Sequence, residues 1–111
     1  MAIRTRNDRG AVVVEVSGRL DAVTAPEFET TLNASIQQGN LRHVINLDGL
    51  EYVSSAGLRG ILVIAKLLRS KGGQLRFANV RGTVREVFDI SGFGSILTID
   101  ESVAAALDGL A

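Results

Sequence analysis

Tyr52-Val53-Ser54-Ser55-Ala56-Gly57-Leu58 joins two segments whose apolar residues follow different periods. Before it, His43 to Leu47 is a mostly apolar run with little alternation, which predicts a central strand covered on both faces. Asp48-Gly49 turns the chain. After it, Leu58, Ile61, Leu62, Ala65 and Leu68 recur at helical spacing, with Arg59, Lys66 and Ser70 on the wet side and Val63 among them. The pattern predicts a helix from Ser54 or Ser55 to about Ser70. Lys71 favours its C-terminal dipole, and Gly72-Gly73 stops it. Two serines therefore stand where a strand hands over to a helix. A helix start carries unpaired N–H groups and partial positive charge, so a phosphate there is welcomed. It would stabilise the helix or leave it unchanged, and so would act by presenting charge, not by unfolding the chain.

Working outward, Ile3 to Arg6 reads as a short edge strand and Asn7-Asp8-Arg9-Gly10 as a turn. Ala11 to Ser17 is a strong strand, with Val12, Val14 and Val16 on one face and Glu15 and Ser17 on the other. Thr24-Ala25-Pro26-Glu27 has the form of a capping box, and Ala25, Phe28, Leu32 and Ile36 continue it as a buried helical stripe that Gly39-Asn40 ends. Leu75 to Val80 predicts a strand, Gly82 to Ile90 a helix with Val84, Val87 and Phe88 inward, and Ser95 to Ile99 a short strand. Asp100 would cap a last helix bearing Val103, Leu107 and Leu110. After the opening hairpin, strands and helices alternate. That order implies parallel pairing with right-handed crossovers, and an α/β fold in which about four helices pack on a mixed sheet.

The chain has 111 residues, enough for one domain, 1–111, and one core. Its 12 basic and 12 acidic residues are interspersed, and only 5% are aromatic, which argues against a nucleic-acid binder. One histidine and no cysteine exclude a structural zinc site, and the lack of cysteine fits a reducing compartment. Met1 to Gly10 has no apolar signal core, and Ile61 to Ala65 is too short to span a bilayer. A cytoplasmic location is expected, with no membrane insertion. No Gly-x-Ser-x-Gly elbow or Walker loop is present, so neither a hydrolase nor a nucleotide-binding loop is predicted, and no cofactor is expected.

The chain resembles the STAS domain family, the fold of bacterial anti-sigma factor antagonists. The resemblance rests on Gly18-Arg19-Leu20-Asp21 with Ala25-Pro26, Val44 to Asp48, and Val53-Ser54-Ser55-Ala56-Gly57-Leu58. It continues through Ile90-Ser91-Gly92-Phe93 and Asp100-Glu101-Ser102-Val103 with Ala106-Leu107. It implies that Ser55, two residues before the glycine, is a phosphoacceptor, with Ser54 as the adjacent hydroxyl. Ser54 stands where the family commonly carries aspartate. The implied partner is an anti-sigma factor with serine kinase activity, bound by the unphosphorylated domain and released on phosphorylation. A metal-dependent serine phosphatase would reset the switch. Asp21, Ser54, Ser55, Gly57, Leu58, Arg59 and Val63 are the candidate partner-binding residues. The family also includes accessory subunits of lipid-transport ABC ATPases, which need no phosphorylation. His43, at a strand start, reads as structural.

Overall fold

The computed structural model describes residues 1–110; Ala111, the last residue of the expected domain, lies outside them. β1 (Ala2–Asp8) and β2 (Ala11–Leu20) form the expected antiparallel hairpin. They are followed by α1 (Ala25–Gln37), β3 (Arg42–Asn46), β4 (Leu50–Val53), α2 (Ser55–Ser70) and β5 (Gln74–Ala78). α3 (Gly82–Ile90), a 3₁₀ turn at Phe93–Ser95, β6 (Thr98–Asp100) and α4 (Val103–Leu110) complete the described residues. The six-stranded sheet has the order β1-β2-β3-β5-β6, with β4 paired to β2 off that path, and every pairing beyond the hairpin is parallel.

The sheet is covered on both faces. Val12, Val14, Val16, Ile45 and Phe77 meet α1, α2 and α3 in the larger core, where Phe77, Phe88 and Phe93 pack edge to face. Val13, Val44 and Ala78 point the other way, under Ala106, Leu107 and Leu110 of α4. Val13 therefore extends the apolar pattern of β2 beyond the single face read from alternation, because α4 closes the side on which Glu15 and Ser17 lie.

The structure departs from the expected elements at several points. Leu50–Val53, to which the sequence pattern assigns no element, is a strand; it pairs with the last residues of β2, where the chain bulges at Gly18 and leaves β3. Thr24 makes no side-chain cap to α1, because its hydroxyl is turned back into the preceding loop, accepting from the Asp21 N–H at 2.9 Å and donating to the Arg19 carbonyl at 2.9 Å. Phe93–Ser95 is a 3₁₀ turn, so the last strand begins only at Thr98. Asp100 does not cap α4; it lies in β6 and pairs with Arg76 at 2.9 Å, while Ser102 accepts from the Ala105 N–H at 3.1 Å. The buried stripe of α2 also differs: Ile64 is buried, and Leu62 and Ala65 are only half-buried.

Candidate functional site

The two serines at the head of α2 divide their tasks. Ser54 is the N-cap: its backbone is extended, and its Oγ accepts from the Gly57 N–H at 3.3 Å. Ser55 is the first helical residue, is exposed, and its hydroxyl makes no hydrogen bond among the described residues. Aspartate and serine are comparably good N-caps, so Ser54 keeps the local function that aspartate would serve there.

The head of α2 is held against the end of β2. The Ser54 N–H donates to the Leu20 carbonyl at 3.0 Å. Gly57 packs so close that a β-carbon there would lie 2.4 Å from the Leu20 oxygen. Only glycine fits at this approach. Gly57 and Leu58, expected on the contact surface, are buried beneath it. Arg59 is exposed one turn after Ser55, and Val63, 46% exposed, one turn after Arg59.

The loop from Asp21 to Thr24 leaves β2 at the same point. Asp21 is occupied within it, its Oδ1 accepting from the N–H groups of Val23 (3.0 Å) and Thr24 (3.2 Å). Burial by itself pushes this carboxyl up. The hydrogen bonds from Thr24 and Val23, with the Arg19 guanidinium at 3.6 Å, outweigh burial and hold it below the usual range. The loop turns Ala22 and Val23 outward, and Val23, the larger, is 86% exposed. Beside the loop, Arg19 stacks on the Tyr52 ring at 4.1 Å, across the β2–β4 pair. Neither Val23 nor the Arg19–Tyr52 stack was anticipated. Locating the stack requires β4, and without that strand Arg19 and Tyr52 are distant in sequence.

His43 is fully buried in β3, and its Nε2 pairs with the Ser35 hydroxyl at 2.8 Å while Nδ1 has no partner among the described residues. Burial lowers its pKa. It lies in the sheet and not beside Ser55, so it is no base for that hydroxyl. Among the described residues no cluster of three or more His, Cys, Asp or Glu side chains could hold a metal ion, and no helix is long and apolar enough to cross a membrane.

Known proteins share both sequence and fold with this chain. BtrV of Bordetella bronchiseptica, an anti-sigma factor antagonist by assignment, is 40% identical over 97 residues, covering 87% of this chain and 84% of BtrV. The anti-sigma F factor antagonist of Paenibacillus polymyxa is 31% identical over 111 residues, covering 99% and 95%. The structure of the anti-sigma factor antagonist SpoIIAA in its unphosphorylated form matches with a TM-score of 0.76 at 24% identity, covering 98% and 97%. The phosphorylated form of the Bacillus protein matches with the same score, covering 99% and 100%. Residues 2–106 match the STAS domain model, and the chain belongs to the STAS domain family.

Proposed function

We propose that this protein is a cytoplasmic anti-sigma factor antagonist, a binding module with no catalysis of its own. Unphosphorylated, it binds an anti-sigma factor that is also a serine kinase, and so frees the sigma factor. The kinase transfers a phosphoryl group from ATP to the Ser55 oxygen, displacing its proton, and the complex dissociates. A metal-dependent serine phosphatase hydrolyses the phosphoserine and restores binding. The antagonist names of the relatives support this reading. The observation that carries it is the division of tasks between the serines: Ser54 is consumed by the helix cap, and Ser55 is left exposed with its hydroxyl free. The partner meets Ser55, Arg59 and Val63 directly. Gly57 and Leu58 hold that surface against β2, Ser54 fixes the helix start, and Asp21 shapes the adjoining loop.

The test is affinity capture from native lysate with wild type and Ser55→Asp as parallel baits, the bound proteins being identified by mass spectrometry. A serine kinase of the anti-sigma type, retained by wild type and lost with Ser55→Asp, is the expected outcome. A transporter ATPase recovered equally by both baits would overturn the reading in favour of an accessory subunit.

A further inference from the structure

The even balance of charge over the whole chain hides a segregation between two packed helices. α1 carries Glu27 and Glu29 and no basic residue; α2 carries Arg59, Lys66 and Arg69 and no acidic one. These three cations are exposed and form no ion pair among the described residues. Arg6, Arg9, Arg19, Arg76, Arg81 and Arg85 are paired, whereas Arg4, Arg42 and Lys71 also lack an ion pair among the described residues; what sets α2 apart is that its three lie on one helix face. Three unpaired cations on one outward helix face, with no acid of their own, suit an acidic surface.

Helical spacing gives that face a direction. At 3.6 residues per turn, Ser55, Leu62, Lys66 and Arg69 fall within a wedge of about 60°, opposite the buried Gly57, Ile61, Ile64 and Leu68. Down this line apolar side chains join the cations. Between the C-terminal half of α2 and Ile96–Thr98 runs a groove of about 270 Å³, with Leu62, Ala65, Leu75 and Leu97 in its walls and Lys66 and Arg69 beside them. Ile96, also lining it, is 59% exposed. The volume is below the roughly 300–1,000 Å³ typical of small-molecule sites. It suits one or two apolar side chains of a docked protein.

We propose that the anti-sigma factor docks along this line through an acidic segment that seats an apolar side chain in the groove, so that the docking surface runs from Ser55 to Ile96. This rests on the partner-switching function argued above. At 1.5 Å per residue, Leu62 lies about 10 Å and Arg69 about 21 Å down the axis from Ser55. A phosphate on Ser55 adds about two negative charges at the head of a surface that receives an acidic partner. The Debye length in physiological salt is about 8 Å, so that charge repels the partner at Ser55 and Arg59 and scarcely reaches Arg69. The switch and the groove therefore contribute separately to affinity.

The experiment uses the anti-sigma factor captured by wild type, purified, and measures its Kd at low and high salt. The baits are wild type, Ser55→Asp, the double variant Lys66→Glu/Arg69→Glu, Ile96→Ser, and each of the latter two combined with Ser55→Asp. All of these side chains are exposed or half-exposed, and unchanged thermal midpoints verify folding. Expected are losses of about tenfold for the double variant, with a flatter salt dependence, and about tenfold for Ile96→Ser. Both losses should add to that of Ser55→Asp. If the double variant and Ile96→Ser bind like wild type while Ser55→Asp releases the partner, the switch stands and the groove proposal fails. If the groove variants lose binding while Ser55→Asp keeps it, the groove is supported and the switch reading fails. Wild-type self-association that disappears in Ile96→Ser would assign the groove to a second copy of this chain and overturn the proposal.

Discussion

Ser54 and Ser55 are adjacent and chemically identical, yet their removal has different consequences. Ser54→Ala deletes the acceptor for the Gly57 N–H and should cost about 1 kcal/mol of stability. Ser55→Ala removes an exposed hydroxyl that no hydrogen bond among the described residues uses, and its effect should stay within about 0.5 kcal/mol. Urea unfolding of both variants checks this; equal losses would mean that the cap is shared. Ser55→Ala is accordingly a clean control for phosphorylation. The sequence placed both serines at the strand-to-helix junction, but it could not say which one caps, because a cap is set by the backbone of a single residue and helix ends read from pattern are uncertain by one or two positions. Asp21 shows a related limit. Its position in a loop was legible, whereas the closure of that loop on its own carboxylate, which leaves Val23 as its large exposed apolar side chain, depends on where Thr24 turns its hydroxyl. The same hydroxyl explains why the capping-box pattern at Thr24 misleads: a threonine that serves the loop is not available to the helix.

Elements long enough to show a period were legible, and short ones were not. α1, α2 and α3 announced themselves through apolar stripes, and the end of α2 through its glycines. There the Gly73 N–H donates to the Leu68 carbonyl at 2.7 Å and the Gly72 N–H to the Arg69 carbonyl at 3.1 Å, with Gly72 at φ +73°. β4 has four residues and shows no alternation, its two ends being buried and its middle exposed, so only its pairing with β2 identifies it. The segment before β6 offered apolar Ile96 and Leu97, but residues 93–95 curl into a 3₁₀ turn first. How closely α2 approaches β2 was likewise open from sequence, since a glycine in a helix can serve packing or access. Gly57 and Gly60 now separate these cases. Gly57→Ala drives a β-carbon into the Leu20 backbone, and should cost roughly 3 kcal/mol, the upper end of ordinary overpacking. Gly60→Ala meets the carboxylate end of Glu29 at 3.3 Å, a side chain that can move, and otherwise makes ordinary contacts with the Ala25 β-carbon and the Glu29 γ-carbon at 3.6 Å. It should be neutral or stabilise by up to about 1 kcal/mol through helix propensity. Chemical denaturation of the pair decides the matter, and a tolerated Gly57→Ala would refute the close approach.

At the scale of the molecule, burial on both faces of the sheet encloses one ionisable side chain among the described residues. His43 sits between β2 and β5, paired with Val12 on one side and Leu75 on the other, its Nε2 on the Ser35 hydroxyl and its Nδ1 without an acceptor. A doubly protonated ring would carry a charge out of water and leave one N–H unanswered, so burial lowers its pKa from the ordinary 6.5. In the unfolded chain the ring protonates near the ordinary value. Between that value and the lower folded-state pKa, the unfolded chain therefore holds more protons than the folded one, and stability rises with pH. The contribution is complete above about pH 6.5. As pH falls below it, stability should drop by up to about 1.4 kcal/mol per pH unit, until the folded ring also protonates. Asp21 acts in a lower window: its depressed carboxyl contributes stability above its unfolded value of 3.8, lost as pH falls through the folded-state pKa. The two groups separate on the pH axis, so a mildly acidic slope belongs to His43. Thermal or urea unfolding from pH 7.5 down to about pH 5.5 should show that slope in wild type and lose it in His43→Gln, which keeps a polar group near Ser35 but cannot take up the proton. His43→Gln is expected to be less stable than wild type at neutral pH, because Gln is a poor fit between two sheet neighbours. The diagnostic is therefore the difference in slope and not the offset. A wild-type curve flat from neutrality down through this window would mean that the folded domain admits the charged ring, by drawing water or a carboxylate to Nδ1.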